Sequence, residues 1–439
     1  MDDIIIGRDA DDRKKFGEKG TIILGKHYVK MGQTSSLANN IRLDMIRPHV
    51  IMLCGKRGGG KSYTMGVIAE GLADMPQELK QNLSIILLDT MGVYWTMKYE
   101  NHKEAELLQP YNLQPKGFDV QIFTPYKFYA EYKKKGIPTD HPFAICPGEL
   151  DAIDWCLALG VTINDPVGVL LEKVIIKIRK QRDRDYDIKD LVKYAKADKE
   201  TDSNTRDALV NRFLSTEGWG LFNKNGTPIS KLAMPGQVSV LDVSCYATME
   251  NGWNVKSLAV GMVSQKMFIE RMLHRKNEEY AEIYNTRSLM SKDEASQKQD
   301  FPMVWLVIDE AHEFLPREGK TAASDALITI LREGRQPGIS LILATQQPGK
   351  IHTDVMTQSD TVISHRLTAK IDTEALSILM QSYMRKGLDV ELDTLPRLKG
   401  TALVFDDTNE KLYQIRVRPR MSWHGGSSPT ALKQKEGGL

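Results

Sequence analysis

Short, nearly unbroken apolar runs recur along this chain: VIMLC (50–54), SIILLD (84–89), DVQIF (119–123), QVSVLDV (237–243), MVWLVID (303–309), SLILAT (340–345), TVISHR (361–366) and TALVF (401–405). Runs of this kind, without apolar–polar alternation, predict strands buried on both faces. Between many of them apolar residues return at helical spacing, as at Met65, Ile68 and Leu72. Strand and helix in alternation predict an α/β fold with a mainly parallel sheet. One interval, about 146–235, breaks the rhythm and is mostly helical. In it Val167, Leu170, Leu171, Val174, Ile175 and Ile178 follow i, i+3, i+4, i+7, i+8, i+11. That is an amphipathic helix with a wide apolar stripe, and the interval reads as a helical subdomain inserted into the sheet.

The expected division is an N-terminal extension with short strands (1–48), a first core part (49–145), the helical insertion (146–235), a second core part (236–420) and a tail (421–439). The last residues, GGSSPTALKQKEGGL, have the composition of a mobile segment.

Composition changes this picture little. Of 439 residues, 41% are hydrophobic and 26% charged, as in ordinary globular proteins. No apolar run is long enough to cross a bilayer, and the charged start MDDIIIGRDADDRKK lacks a secretory apolar region. The expectation is a cytoplasmic protein with no membrane partner. Cys54, Cys146, Cys156 and Cys245 form no C-x-x-C pair and read as reduced thiols. A formal net charge of +2 neither demands nor excludes nucleic acid. Two basic stretches read as surface: KIRKQRDRD (177–185) as a solvated helix end, EYKKKG (131–136) as a surface turn.

The chemistry begins at GKRGGGKS, where Gly55, Gly60, Lys61 and Ser62 fit G-x-x-x-x-G-K-[ST] between a buried strand and a helix. This is the phosphate-binding loop of nucleoside triphosphatases. Its backbone N–H groups must close around a triphosphate, which side chains would obstruct; hence Gly58 and Gly59 as well. Lys61 brings positive charge to the phosphates, and Ser62 offers a hydroxyl to Mg²⁺. Tyr63, next along the helix, and Asp89, ending the following strand, complete the expected nucleotide-binding set.

Hydrolysis also needs a metal-organising acid and a group to handle the attacking water. MVWLVIDEAHEF carries Asp309 and Glu310 to a strand end, where parallel sheets place their ligands. Asp309 suits the Mg²⁺ shell, and Glu310 can polarise water. His312 reads as a local hydrogen-bonding residue, since no metal-binding spacing accompanies it. Downstream, Gln346 ends a buried strand, where it could sense the γ-phosphate. Arg332 and Arg335 end a helix. Either could reach a neighbouring subunit's nucleotide as an arginine finger, or simply cap helix carbonyls.

The series GKRGGGKS, VIDEAHEF, REGRQPGISLILATQQP, IHTDVMTQSDTVISHRL and RPRMSWHGG resembles the HerA-like ATPases of the FtsK–HerA group, over about 47–426. The resemblance implies a RecA-like core interrupted by a helical bundle. It implies a homo-hexamer with ATP and Mg²⁺ between subunits, moving double-stranded DNA through its pore with a nuclease or other effector partner. It also implies roles: Glu310 as catalytic carboxylate, Gln346 as sensor, Arg335 ahead of Arg332 as trans finger, and Arg418, Arg420 and His424 in bracing a neighbouring subunit. Two departures stand out. Relatives carry an N-terminal β-barrel larger than the 48 residues found here. The family's Asp-x-x-Gly-Glu-Tyr becomes Asp89, Thr90, Met91, Gly92, Val93, Tyr94, with Val93 replacing the glutamate. A different class of function fits the same residues: a ring scaffold in which ATP stabilises subunit contacts and a partner effector does the work.

Overall fold

The computed structural model describes residues 3–31, 34–287, 301–380, 391–392 and 395–426. Its centre is the set of apolar runs, now strands: β4 (Val50–Cys54), β5 (Leu83–Asp89), β8 (Val238–Asp242), β9 (Met303–Ile308), β10 (Ile339–Thr345) and β11 (Thr361–His365). Nearly every residue in them is buried, because helices cover both faces. They lie parallel in the order β11-β4-β10-β9-β5-β8. The nucleotide loop therefore sits on β4, with β10 between it and the acid-bearing β9.

Among the described residues the sheet has 13 strands. On one side it continues parallel through β6 (Val120–Pro125) and β7 (His141–Phe143). On the other it turns antiparallel through β12 (Thr401–Asp406), β13 (Lys411–Val417), β2 (Thr21–Met31) and β3 (Thr34–Asp44), ending at β1 (Ile4–Ile6). The first 48 residues thus extend the central sheet, and their two long strands are 11 residues each, where the sequence suggested short ones. Gly25 is where β2 crosses β13: a Cβ there would lie 2.1 Å from the Arg416 carbonyl oxygen.

Between β7 and β8 the chain forms four longer helices, Ala152–Leu159, Pro166–Arg182, Ile188–Lys196 and Ser203–Thr216. Asp151, Asp187 and Asp202 cap three of them, each carboxylate accepting a backbone N–H of the first turn. The stripe Leu170, Leu171, Val174, Ile175 and Ile178 is buried. The stretch at 131–136, expected as a turn, is instead the last turn of the helix Tyr126–Lys135, with Gly136 ending it at φ 72°. Three lysines at that C-terminus suit the helix dipole. A further helix, Gly252–Arg287, spans 36 residues; its first half is packed in the core, while Tyr280, Ile283 and Tyr284 are exposed. No helix among the described residues is long and apolar enough to cross a membrane. Of the glycine-rich tail, 427–439 lie outside the described residues.

The edge of the sheet away from the nucleotide loop holds a buried charge network. Asp44 ends β3, His49 precedes β4 and Asp360 precedes β11. Arg8 pairs with Asp44, both side chains fully buried, and spends its remaining N–H groups on the Gly17 and Lys19 carbonyls. His49 bridges Asp44 through Nε2 and Asp360 through Nδ1, each at 3.1 Å. Burial works against its charged form, but the two carboxylates outweigh that and raise its pKa to about 9. These pairs tie the N-terminal strands to the core.

Candidate nucleotide site

The phosphate loop occupies the turn from β4 into the helix Lys61–Ala73. Gly60 caps that helix at φ 113°, a conformation that strains any residue with a Cβ. At Gly55 the constraint is space: a Cβ would lie 2.6 Å from that of His365. His365, at the end of β11, is fully buried beneath the loop. Its Nδ1 donates to the Thr401 carbonyl and its Nε2 accepts from the Thr64 hydroxyl, both at 2.9 Å. Burial pushes its pKa down to about 4, so it is a neutral buttress.

Lys61 is buried and donates to the carbonyls of Gly55 (3.0 Å) and Lys56 (3.4 Å). Burial lowers its pKa, against the pull of Glu310 and Asp309. It has carbonyl partners but no carboxylate of its own, the state expected of a cation kept for phosphate. Ser62 donates its hydroxyl to Asp309 Oδ2 at 2.9 Å. Burial, and then the Glu310 charge, raise the Asp309 pKa. A divalent cation beside these two oxygens would relieve that cost. Among the described residues no cluster of three or more His, Cys, Asp or Glu could hold a metal, so the rest of such a shell would come from phosphate oxygens and water, as Mg²⁺ prefers.

Glu310 follows Asp309 in the left-handed region, at φ 52°. This conformation is uncommon for a glutamate, and here it turns the chain sharply at the end of β9. Its N–H is held by Asp309 Oδ1 at 2.9 Å. Gln346, just past β10, donates its amide N–H to Glu310 Oε1, while Glu310 Oε2 is buried with no hydrogen-bond partner. The structure thus brings Lys61, Ser62, Asp309, Glu310 and Gln346 together, from three adjacent strands.

Other expected site residues are placed differently. Asp89 reaches the same edge, but both its oxygens accept backbone N–H groups, from Met91 and Gly92 on one and Val93 and Tyr94 on the other. It shapes the loop in which Val93 replaces the family glutamate. It also lies in register with Asp242 on β8, and burial together with that neighbour pushes its pKa up to about 7. The Tyr63 hydroxyl is engaged with Glu104 (2.6 Å) and the Arg420 N–H (2.7 Å), away from the loop. Arg332 and Arg335 lie before β10, across the sheet from Gln346. Arg332 pairs with Asp354 at 2.6 Å, and Arg335 is exposed.

The segment after β13 corrects one expectation. Arg418 and Arg420 do not reach outward to brace a neighbour; they are buried against Glu70, on the phosphate-loop helix of their own chain. Glu70 accepts five hydrogen bonds, from the two guanidinium groups, the N–H groups of Met421 and Ser422, and the Ser422 hydroxyl. Burial alone would raise its pKa; the two arginines and Ser422 hold it below the usual value. Gly66 makes room, since a Cβ there would lie 2.6 Å from the Arg420 guanidinium carbon. His424 packs edge-on against Tyr63 at 5.2 Å. Sequence reasoning missed Glu70 and His365; the one available signal was a charged or polar residue inside an otherwise apolar helix or strand.

Comparison with known proteins identifies the family. Residues 24–250 match the family model described as "Helicase HerA, central domain". The chain belongs to that family. This HerA-family chain is a P-loop ATPase, and its residues 252–374 also match a model described as "Zonular occludens toxin (Zot)". It is 25% identical over 369 residues to a probable DNA double-strand break repair helicase HerA of Methanocaldococcus jannaschii, covering 79% of this chain and 67% of that one. In fold it is similar to VirB4 of Thermoanaerobacter pseudethanolicus, with TM-score 0.54, 14% identity and coverage of 91% and 96% of the two chains. It is also similar to the bacterial conjugative coupling protein TrwB in its unbound form, with TM-score 0.52, 12% identity and coverage of 93% and 95%.

Proposed function

We propose that this ATPase is the subunit of a ring, a homo-hexamer, that hydrolyses ATP with Mg²⁺ to move double-stranded DNA, working with a nuclease or other effector. The observation that carries this reading is the convergence of Lys61, Ser62, Asp309, Glu310 and Gln346 at one sheet edge, in a chain related to proteins named as DNA-repair helicases. Lys61 and the loop N–H groups bind the triphosphate. Ser62 and Asp309 hold Mg²⁺, which supplies charge compensation on the phosphates when bound. Glu310 Oε2 takes a proton from the attacking water, whose oxygen bonds to the γ-phosphorus as the β–γ bridging bond breaks and ADP leaves. Gln346 reports the phosphate to β10.

Assembly into a ring accounts for the arginines. β10 spans seven residues, roughly 23 Å, so Arg335 is too far from its own site to act there and serves the next subunit's nucleotide. Arg332 is the poorer candidate because Asp354 already engages it. Within this reading, 49–145 and 236–420 are the motor core and 146–235 its helical insertion.

The test is ATP turnover by the purified full chain with and without duplex DNA. Duplex raises turnover, and Glu310→Gln lowers it by about 10²–10⁴-fold while nucleotide binding persists. Equal hydrolysis with and without DNA, together with no DNA binding, would end the translocation reading.

A further inference from the structure

His312 is three residues beyond Asp309 and has no part in the scheme above. Its Nδ1 lies between two groups whose roles depend on the ring's tautomer. Thr345 ends β10, one residue before Gln346. Its Oγ1 accepts the Gln347 N–H at 3.0 Å. The hydroxyl proton is then free to point at His312 Nδ1, 3.1 Å away. With Nδ1 accepting, the ring proton of a neutral histidine lies on Nε2. The ring is neutral because burial lowers its pKa, helped by the charges of Lys350 and Lys61 and opposed by Asp309 and Asp372.

The same Nδ1 lies 3.6 Å from Glu310 Oε2, the oxygen that is buried without a partner. Two tautomers would treat that oxygen in opposite ways. A proton on Nδ1 would be donated to Oε2 and would occupy the lone pair needed for water. A lone pair on Nδ1 leaves Oε2 open and, by adding negative potential beside it, makes it the stronger proton acceptor. Oε1 is already taken by Gln346, so Oε2 is the one oxygen with which Glu310 can act.

We propose that Thr345 and His312 are positioning residues for ATP hydrolysis: the Thr345 hydroxyl locks His312 as the Nε2–H tautomer, which keeps Glu310 Oε2 an open proton acceptor. This rests on the reading of Glu310 as the base. It also makes β10 a two-handed element: Gln346 fixes one carboxylate oxygen and Thr345, through His312, guards the other.

The experiment measures steady-state ATP turnover of full-length Thr345→Val, Thr345→Ser and His312→Ala proteins, with melting curves as a check on folding. Thr345→Val keeps the shape but removes the hydroxyl. It lowers kcat on the order of ten-fold or more, as where a histidine tautomer controls a catalytic group, with KM for ATP little changed. Thr345→Ser restores turnover. In a Glu310→Gln background the Thr345→Val change has no further effect. A folded Thr345→Val with wild-type kcat, or with raised KM alone, overturns the proposal. If the valine variant does not fold, nitrogen NMR of the wild-type protein with labelled histidine decides: a protonated Nδ1 on His312 overturns it. Full turnover in Glu310→Gln would instead sink the underlying reading of the base.

Discussion

The two edges of the parallel sheet treat buried charge in opposite ways. At the far edge, Arg8, Asp44, His49 and Asp360 answer one another, and both oxygens of Asp44 are in use. At the nucleotide edge, Asp309 and Asp89 are buried with raised pKa values, Glu310 holds an unused oxygen and a left-handed backbone, and Lys61 donates only to carbonyls. Charges that cancel locally serve the fold, whereas charges left in excess await something from outside. A buried acid without a counter-charge is costly; at the far edge Asp406 is one such acid, answered by the Gly7 N–H and the Asn409 amide, whereas the nucleotide edge gathers Asp89, Asp309 and Glu310 on the adjacent β5 and β9, and that accumulation is the physical mark of the site.

The sharpest way to break this contrast is to neutralise one acid at each edge. Glu310→Gln lowers ATP turnover by about 10²–10⁴-fold, the range of a lost general base, and leaves the melting curve in place. Asp44→Asn does the reverse. It strands Arg8 and His49 and lowers stability by about 3–5 kcal/mol, measured by urea unfolding, with turnover per folded molecule intact. If either change moved both properties together, the division between the edges would be false.

A smaller effect separates the edges by pH. The His49 pKa of about 9 in the folded chain lies above the ordinary value near 6.5. A raised folded-state value means stability that is fully present below about pH 6.5 and lost as pH rises toward 9, on the order of 3 kcal/mol in all. Urea midpoints across that window should therefore fall in the wild type and flatten in His49→Gln. The smallest effect belongs to neither edge. Lys320 and Asp325 form a pair with both side chains largely exposed, and Lys320→Ala should leave the melting curve unmoved.

The same contrast explains what could be read from the amino-acid sequence. Strands buried on both faces must be continuously apolar, so VIMLC, MVWLVI and ISLILAT announce β4, β9 and β10 without further help. KLYQIRV of β13 is partly exposed and mixed in character, and it did not stand out. The phosphate loop and the Asp309–Glu310 pair are local patterns, legible because neighbouring residues supply the geometry. Glu70 with Arg418 and Arg420 is not local: its partners are separated by about 350 positions, and no short pattern connects them. Asp89 was legible as a strand-end acid, but its burial beside Asp242 depends on which strand lies next to β5.

Glu70 also carries a consequence for how the protein is made. Its carboxylate leaves the ribosome early, while Arg418 follows 348 residues later. At ordinary rates of synthesis that is a wait of roughly 20–70 s. During that time the helix bearing Lys61 holds an uncompensated negative charge on the face destined for the interior. The nascent chain therefore cannot seat this helix permanently until Arg418 and Arg420 have emerged, which ties the first moment a triphosphate can be gripped to the synthesis of a segment far downstream.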